Sequence, residues 1–382
     1  MDHIEVMLST WNGATWLQPQ LESLTAQTGA GRITLSVRDD GSTDETWGML
    51  ERFAEGIRTS LYSSPTFDPQ PAEPLSSEPQ LCNPPASPHT TSTPSSTASP
   101  TSTPLSSPSP TPTPPSPFEV RLHRGTNLGF IASFFTLLLR SDPHADWFAF
   151  CDQDDIWQPD KLARAMEQLR QETANIPLLY ASRLTLVDES LHEIGQSGVP
   201  ARGPAFANAV VENIVTGATL VMNRAARNLL LEGLDHMTGI SAGPDAEVPK
   251  AAVEGVRLHD WWCYLVVSAF GRVVYDSESR ILYRQHGGNQ VGWRPSFWAR
   301  QAQRLKRLRR QGDMRAITRQ AALFAQVHGE ALEPEKSHML ERFLAKDRQL
   351  GARIACVIHP GVWRQRRMDG LLLRLLLLTG RI

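Results

Sequence analysis

The chain is poor in cysteine: four in 382 residues, Cys82, Cys151, Cys263 and Cys356, all far apart. With no CxxC or Cys/His spacing, a disulfide framework and a structural zinc site are excluded, and a reducing, cytoplasmic setting is expected. The net charge is only −2 at pH 7, so a whole-chain nucleic-acid binder is excluded and no nucleic-acid partner is expected. A long apolar run is also missing. The strongest, GLLLRLLLLTG from Gly370, is short for a bilayer span and is broken by Arg374. The opening MDHIEVMLSTWNG lacks the basic and apolar regions of a secretory signal and reads instead as a strand. No glycine- and lysine-rich loop of the kind that cradles a triphosphate is present, which counts against a nucleotidyltransferase.

What is present suffices for a sizeable core, since 41% of the residues are hydrophobic. Between 63 and 117 the composition changes to proline, serine and threonine, as in TSTPSSTASPTSTPLSSPSPTPTPPSP. Such a segment buries too little apolar surface to offset its ordering entropy, so it is expected to be a disordered or polyproline insertion in a surface loop; a glycosylated stalk or recognition motif are the other readings.

On either side of the insertion, strands and helices alternate as a mostly parallel sheet requires. IEVMLS reads as a strand, and Leu17, Leu21 and Leu24 then recur at helical spacing, with Pro19 tolerable near the first turn. ITLSV is a second strand. Ser42 and Glu45 suggest a capping box for the helix carrying Trp47, Leu50 and Phe53. FEVRLH, GFIASFFTLLLR and DWFAFC continue as strand, buried helix and strand. The expected fold is therefore open α/β. In such sheets ligands bind beyond the carboxyl ends of the strands, which is where STWNG, RDDGSTD and CDQDD fall.

CDQDDIW carries the chemistry best suited to a cation. Asp152 and Asp154 project to one side of an extended segment and suit a hard cation, Asp155 replacing either in a turn; capping of the following helix is the plainer alternative. In RDDGSTD, Asp39 and Asp40 suit hydrogen bonds to a base or ribose, or else simply build the turn; Thr10 and Asn12 face the same choice. Two acid-rich loops on one rim suggest a nucleoside diphosphate held through a bridging metal. In LHDWWCYLVVSAFG, His259 and Asp260 open an apolar helix. Asp260 is either a dipole partner or a general base beside Trp261 and Trp262, whose rings suit sugar faces or the core. In YRQHGGN, Arg284 precedes His286, a metal-ligand or phosphate-contact candidate.

Taken in order, STWNG, RDDGSTD, NLGF, CDQDDIWQPDKL, TGATLVMNR, HDWW and YRQHGGN resemble the family 2 glycosyltransferases, in their rhamnosyltransferase-like branch. The resemblance implies a GT-A (Rossmann-like) domain over 1–293, with its central sheet flanked by helices, and an inverting, metal-dependent transfer. By matching motifs, Asp260 resembles the catalytic base. Thr10, Asn12, Asp39, Asp40 and Asp152 resemble nucleotide or donor contacts, and Asp152, Asp154 and His286 resemble ligands of Mg²⁺ or Mn²⁺. Trp157, His259, Trp261 and Arg284 stand as donor or acceptor contacts. His259 replaces the glutamate of many relatives, as is common in this branch. The subgroup favours dTDP-rhamnose as donor and a saccharide or lipid-linked acceptor in surface polysaccharide or lipopolysaccharide synthesis. A non-catalytic nucleotide-sugar-binding or scaffold protein is the alternative on the same fold.

Beyond the domain, 294–382 is expected to be helical, basic and apolar. Trp298, Ala302, Leu305 and Leu308 form a stripe among Arg300, Arg304, Lys306, Arg307, Arg309 and Arg310. Such a helix suits an anionic membrane surface or the side of the catalytic domain, so peripheral attachment at the cytoplasmic face of the inner membrane is an expectation.

Overall fold

The computed structural model describes residues 1–62, 117–173, 175–286, 311–345, 350–358 and 361–379. The first half alternates as the sequence suggests: β1 (His3–Thr10), α1 (Leu17–Thr25), β2 (Arg32–Asp39), α2 (Thr46–Tyr62), β3 (Phe118–Arg124), α3 (Phe130–Arg140) and β4 (Trp147–Cys151). These strands lie in the order β3-β2-β1-β4, all parallel. Helices cover both faces, which is why β1 and β2 read as near-continuous buried runs.

The second half departs from a parallel pattern. It comprises β5 (Ile156–Trp157), α4 (Lys161–Arg170), β6 (Leu178–Val187), β7 (Glu193–Gln196), α5 (Phe206–Ala209), β8 (Val221–Asn223), α6 (Arg224–Thr238), α7 (His259–Phe270) and β9 (Arg272–Arg284). The sheet continues β4-β8-β6-β9-β5, with β7 beside β6. Of these pairings only β6–β9 is parallel. β8 and β5 have three and two residues, too short to leave a periodic signal. The result is a mixed sheet flanked by helices on both faces.

One face of the sheet packs on α1, α2 and α4, through Leu17, Leu21, Leu50 and Leu162. The other packs on α3, α6 and α7. The same buried cluster takes in Phe324 of α8 (Gln311–His328), Leu340 and Phe343 of α9 (Pro334–Ala345) and Leu373 and Leu377 of α11 (Arg367–Leu378). The C-terminal helices, with α10 (Leu350–Ile358) between the last two, therefore share the core on this face of the sheet. No helix among the described residues is long and apolar enough to cross a membrane. The insertion over 63–116 and the basic stripe of Trp298, Ala302, Leu305 and Leu308 lie outside the described residues.

The expected capping box is not formed. Asp44 starts α2 instead, its Oδ1 accepting from Thr46 N at 3.1 Å and Thr46 Oγ1 at 2.5 Å. Ser42 is drawn away because its hydroxyl donates to Asp39 Oδ1.

Candidate active site

The parallel register sets Thr10 beside Asp39 and Leu8 beside Cys151, so the loops after β1, β2 and β4 leave from one rim. Side chains then lace these loops together. Asn12, at φ 46°, accepts from Thr43 N through Oδ1 at 2.9 Å, while its own N–H donates to Ser42 Oγ. Gln153 reaches back from the third loop: Oε1 accepts from Trp11 N at 2.9 Å and Nε2 donates to Trp11 O at 3.1 Å. Gly13 lies beneath this bridge, and a Cβ there, 2.2 Å from Gln153 Oε1, would push the amide aside. Trp11 itself stands 55% exposed on the rim.

In the second loop, Asp39 is buried and accepts from Thr10 Oγ1 at 3.0 Å, Ser42 N at 3.0 Å and Ser42 Oγ at 2.5 Å. Asp40 turns inward to pair with Arg38. It also receives Leu128 N at 2.8 Å and Gly129 N at 2.9 Å, closing the start of α3. Asp40 thereby ties Arg38 to the start of α3 from inside the protein.

The third loop carries the acids. His286 Nε2 lies 2.7 Å from Asp154 Oδ2, and its ring stacks on Trp16 with centroids 5.3 Å apart. The carboxylate of Asp152 takes no hydrogen bond among the described residues. Burial, then the charges of Asp154 and Asp260, push its carboxyl up to about 8. Asp155 is buried; Oδ1 accepts from Arg284 N at 3.2 Å and Oδ2 has no partner. Burial, followed by the same crowding of acids, holds its carboxyl well above the ordinary range.

Arg284 closes the third loop. It is buried, donating through Nε to Asp154 O at 3.0 Å and through Nη1 to Glu189 O at 2.6 Å, with its guanidinium 4.8 Å over Trp16. It fastens the acid loop to β9. Trp157 is likewise buried, under Lys161 Nζ at 3.3 Å from its ring centroid, and offers no face to a substrate.

Asp260 stands in the first turn of α7 and is 8% exposed. Its Oδ1 accepts from Trp261 N at 2.6 Å and Asn213 Nδ2 at 3.1 Å, and Oδ2 accepts from Gly217 N at 3.0 Å. Burial pushes its carboxyl up to about 6, against the lowering effect of these hydrogen bonds. Its charge also raises the carboxyl of Asp152, which places the two acids in one electrostatic field.

The neighbours of Asp260 are packed into the fold. His259 stacks on Phe134 at 4.1 Å and meets Phe150 edge-on at 5.2 Å; both ring nitrogens lack a partner and burial lowers its pKa to about 3. It is a neutral core residue. Trp261 is buried with Nε1 donating to Ala209 O at 2.6 Å. His259 is held by aromatic rings, and Trp261 by a backbone carbonyl with the Arg257 guanidinium 5.2 Å over its ring.

The acid loop suits a hard divalent cation in charge and donor type, with crowded carboxylates and an imidazole at Asp154. Among the described residues, no three His, Cys, Asp or Glu side chains are gathered as a ligand set. Trp11, Gln153, Asn213 and Gly217 were not singled out from the sequence. Trp11 lies within STWNG, Gln153 within CDQDD and Gly217 within TGATLVMNR, whereas Asn213 lies in none of the motifs.

No family model matches the chain. In sequence it is similar to the dTDP-rhamnosyl transferase RfbG of Shigella flexneri, 24% identical over 303 residues that cover 77% of this chain and 76% of that protein. In structure it is similar to residues 1–349 of S. aureus TarS in complex with UDP, with a TM-score of 0.47, 14% identity, and coverage of 91% of this chain and 70% of that one. It is also similar to the mannosyltransferase PcManGT from Pyrobaculum calidifontis in complex with GDP-Man and Mn²⁺, with a TM-score of 0.40, 15% identity, and coverage of 94% and 76%.

Proposed function

We propose that this chain, a GT-A-type glycosyltransferase by sequence relationship and architecture, moves rhamnose from dTDP-rhamnose to a hydroxyl of a saccharide or lipid-linked acceptor, with inversion. The observation that carries the reading is the buried Asp260 carboxylate, held by three hydrogen bonds in the field of the acid loop. The donor identity rests on the similarity to a dTDP-rhamnosyl transferase.

In this reading Asp260 accepts the proton of the acceptor hydroxyl as that oxygen bonds to the anomeric carbon. The bond from the anomeric carbon to the diphosphate oxygen breaks, and the nucleoside diphosphate carries away the electron pair. A carboxyl tuned to about 6 is largely ionised at neutral pH yet basic enough for the task. Asp154 and His286, with Asp152 beside them, would hold Mg²⁺ or Mn²⁺, which supplies charge stabilisation to the leaving diphosphate. Asn12 and Asp39 shape the rim for the nucleoside, and the exposed Trp11 offers it an aromatic face. Arg284 and Gln153 keep the acid loop in place.

Attachment to an anionic membrane surface at the cytoplasmic face is part of the same proposal. It is supported by Met368, Leu371, Leu375 and Leu378, exposed along α11 with Arg367 and Arg374, and by Ile354 and Ile358 exposed on α10. A lipid-linked acceptor would be met at such a surface.

The nucleotide reading is tested by thermal shift with dTDP, UDP and GDP, each with and without Mn²⁺. A metal-dependent rise with dTDP, lost in Asp154→Ala, is expected. A rise with UDP or GDP instead would overturn the donor assignment, and no rise with any nucleotide would overturn the site.

A further inference from the structure

The oxygens of Asp260 are not equivalent. An ionised carboxylate has about four lone-pair sites, two on each oxygen. Oδ1 receives two donors, Asn213 Nδ2 at 3.1 Å and Trp261 N at 2.6 Å. Oδ2 receives one, Gly217 N at 3.0 Å. The remaining lone pair therefore belongs to Oδ2.

Two of these donors are backbone groups, one from the carboxylate's own helix and one from a glycine that cannot be altered freely. A Cβ on Gly217 would lie 2.6 Å from His259 Nε2. Asn213 alone among the three donors acts through its side chain. Its orientation is fixed independently, because Oδ1 accepts from Val215 N at 3.1 Å. With the amide oxygen claimed by a backbone N–H, the amide nitrogen must face Asp260; a flipped amide would set donor against donor and acceptor against carboxylate. Thus 213–217 is a short cradle built before β8 for one residue of α7.

We propose that Asn213 is a positioning residue: by filling Oδ1 it turns the free lone pair of Oδ2 toward the acceptor hydroxyl. The inference rests on the reading of Asp260 as the base. Asn213 touches no reacting atom, so its effect passes entirely through Asp260. It differs in this from a residue that merely supports the loop, whose loss would harm any variant equally.

The test is a double-mutant cycle with Asn213→Ala, Asp260→Asn and the combined variant, in the full-length protein with dTDP-rhamnose and Mn²⁺. Asn213→Ala is expected to lower kcat by about 10- to 100-fold, the worth of one hydrogen bond to an ionised group, with the donor KM within about two-fold of the parent. Adding it to Asp260→Asn is expected to cost nothing further. Equal losses in both backgrounds, or a raised KM with kcat unchanged, would overturn the positioning role while leaving Asp260 as the base. A near-parent kcat in Asp260→Asn alone would remove the base assignment, and the proposal with it. Asn213→Ser keeps a side-chain oxygen near Val215 N but has no amide nitrogen to reach Asp260, so it replaces the alanine variant if that one does not fold, with a loss of kcat again expected.

Discussion

Asp260 sits where its charge is costly, and that cost has a pH signature. Its carboxyl is raised to about 6 by burial, with Asp152 opposite, Cys263 one turn along the helix and His259 neutral beside it. The base must be ionised to act, so kcat is expected to fall as the pH drops through about 6 and to level off above it. A pH–rate profile flat down to pH 4.5 would contradict this, since an unperturbed aspartate titrates at about 3.9. At the same scale, the sequence showed which side chains carry chemistry but not which of them are buried. HD at a helix start marked Asp260 as a helix-terminal carboxylate, and the structure adds its burial. His259, Trp157, Trp261 and Arg284 are held inside by phenylalanine stacking, a lysine, a backbone carbonyl or the acid loop. Asn213 left no signal because a single amide has no period and its partner lies 47 residues away, and Gln153, inside CDQDDIW, gave no sign of a partner 142 residues away.

Among elements, those with long apolar runs were legible: β1 to β4 with α1 and α3 all fall where the hydrophobic pattern put them. The start of α2 was displaced by two residues of capping chemistry, because Ser42 answers to Asp39 and Asp44 takes over as cap. The short turn at Gly217–Thr219 that meets α7 had no signal beyond its composition. Its packing gives a sharp expectation. In Gly217→Ala the added methyl meets an imidazole that is already stacked on Phe134 and has no room to retreat. Overpacking of this kind costs about 1–3 kcal/mol, to be read as a lower denaturant midpoint with an unchanged slope. A variant as stable as the parent would mean that His259 is not wedged against this turn.

At the scale of the molecule, the C-terminal helices complete the core that lies under α3, α6 and α7, through Phe324, Phe343 and Leu373. Removing the whole region would expose that core, so a membrane role has to be tested by surface changes. Leu371 and Leu375 are exposed on α11, and replacing both by glutamate adds charge without disturbing Leu373 or Leu377. The double variant is expected to keep its melting temperature and to lose binding to vesicles containing anionic lipid. Unchanged sedimentation with those vesicles would remove the proposed surface. The α/β class and the gathering of three polar loops on one rim were legible at this scale. The mixed second half of the sheet was not, because short antiparallel strands draw their stability from neighbours distant in sequence.

The central claim is that Asp260 serves the transfer step and not donor binding. Single-turnover release of dTDP from dTDP-rhamnose, with a lipid-linked saccharide fraction as acceptor, measures it directly in the parent and in Asp260→Asn. A rate lower by about 10²–10⁴-fold with donor affinity preserved is expected. Release at the parent rate in Asp260→Asn would contradict the account.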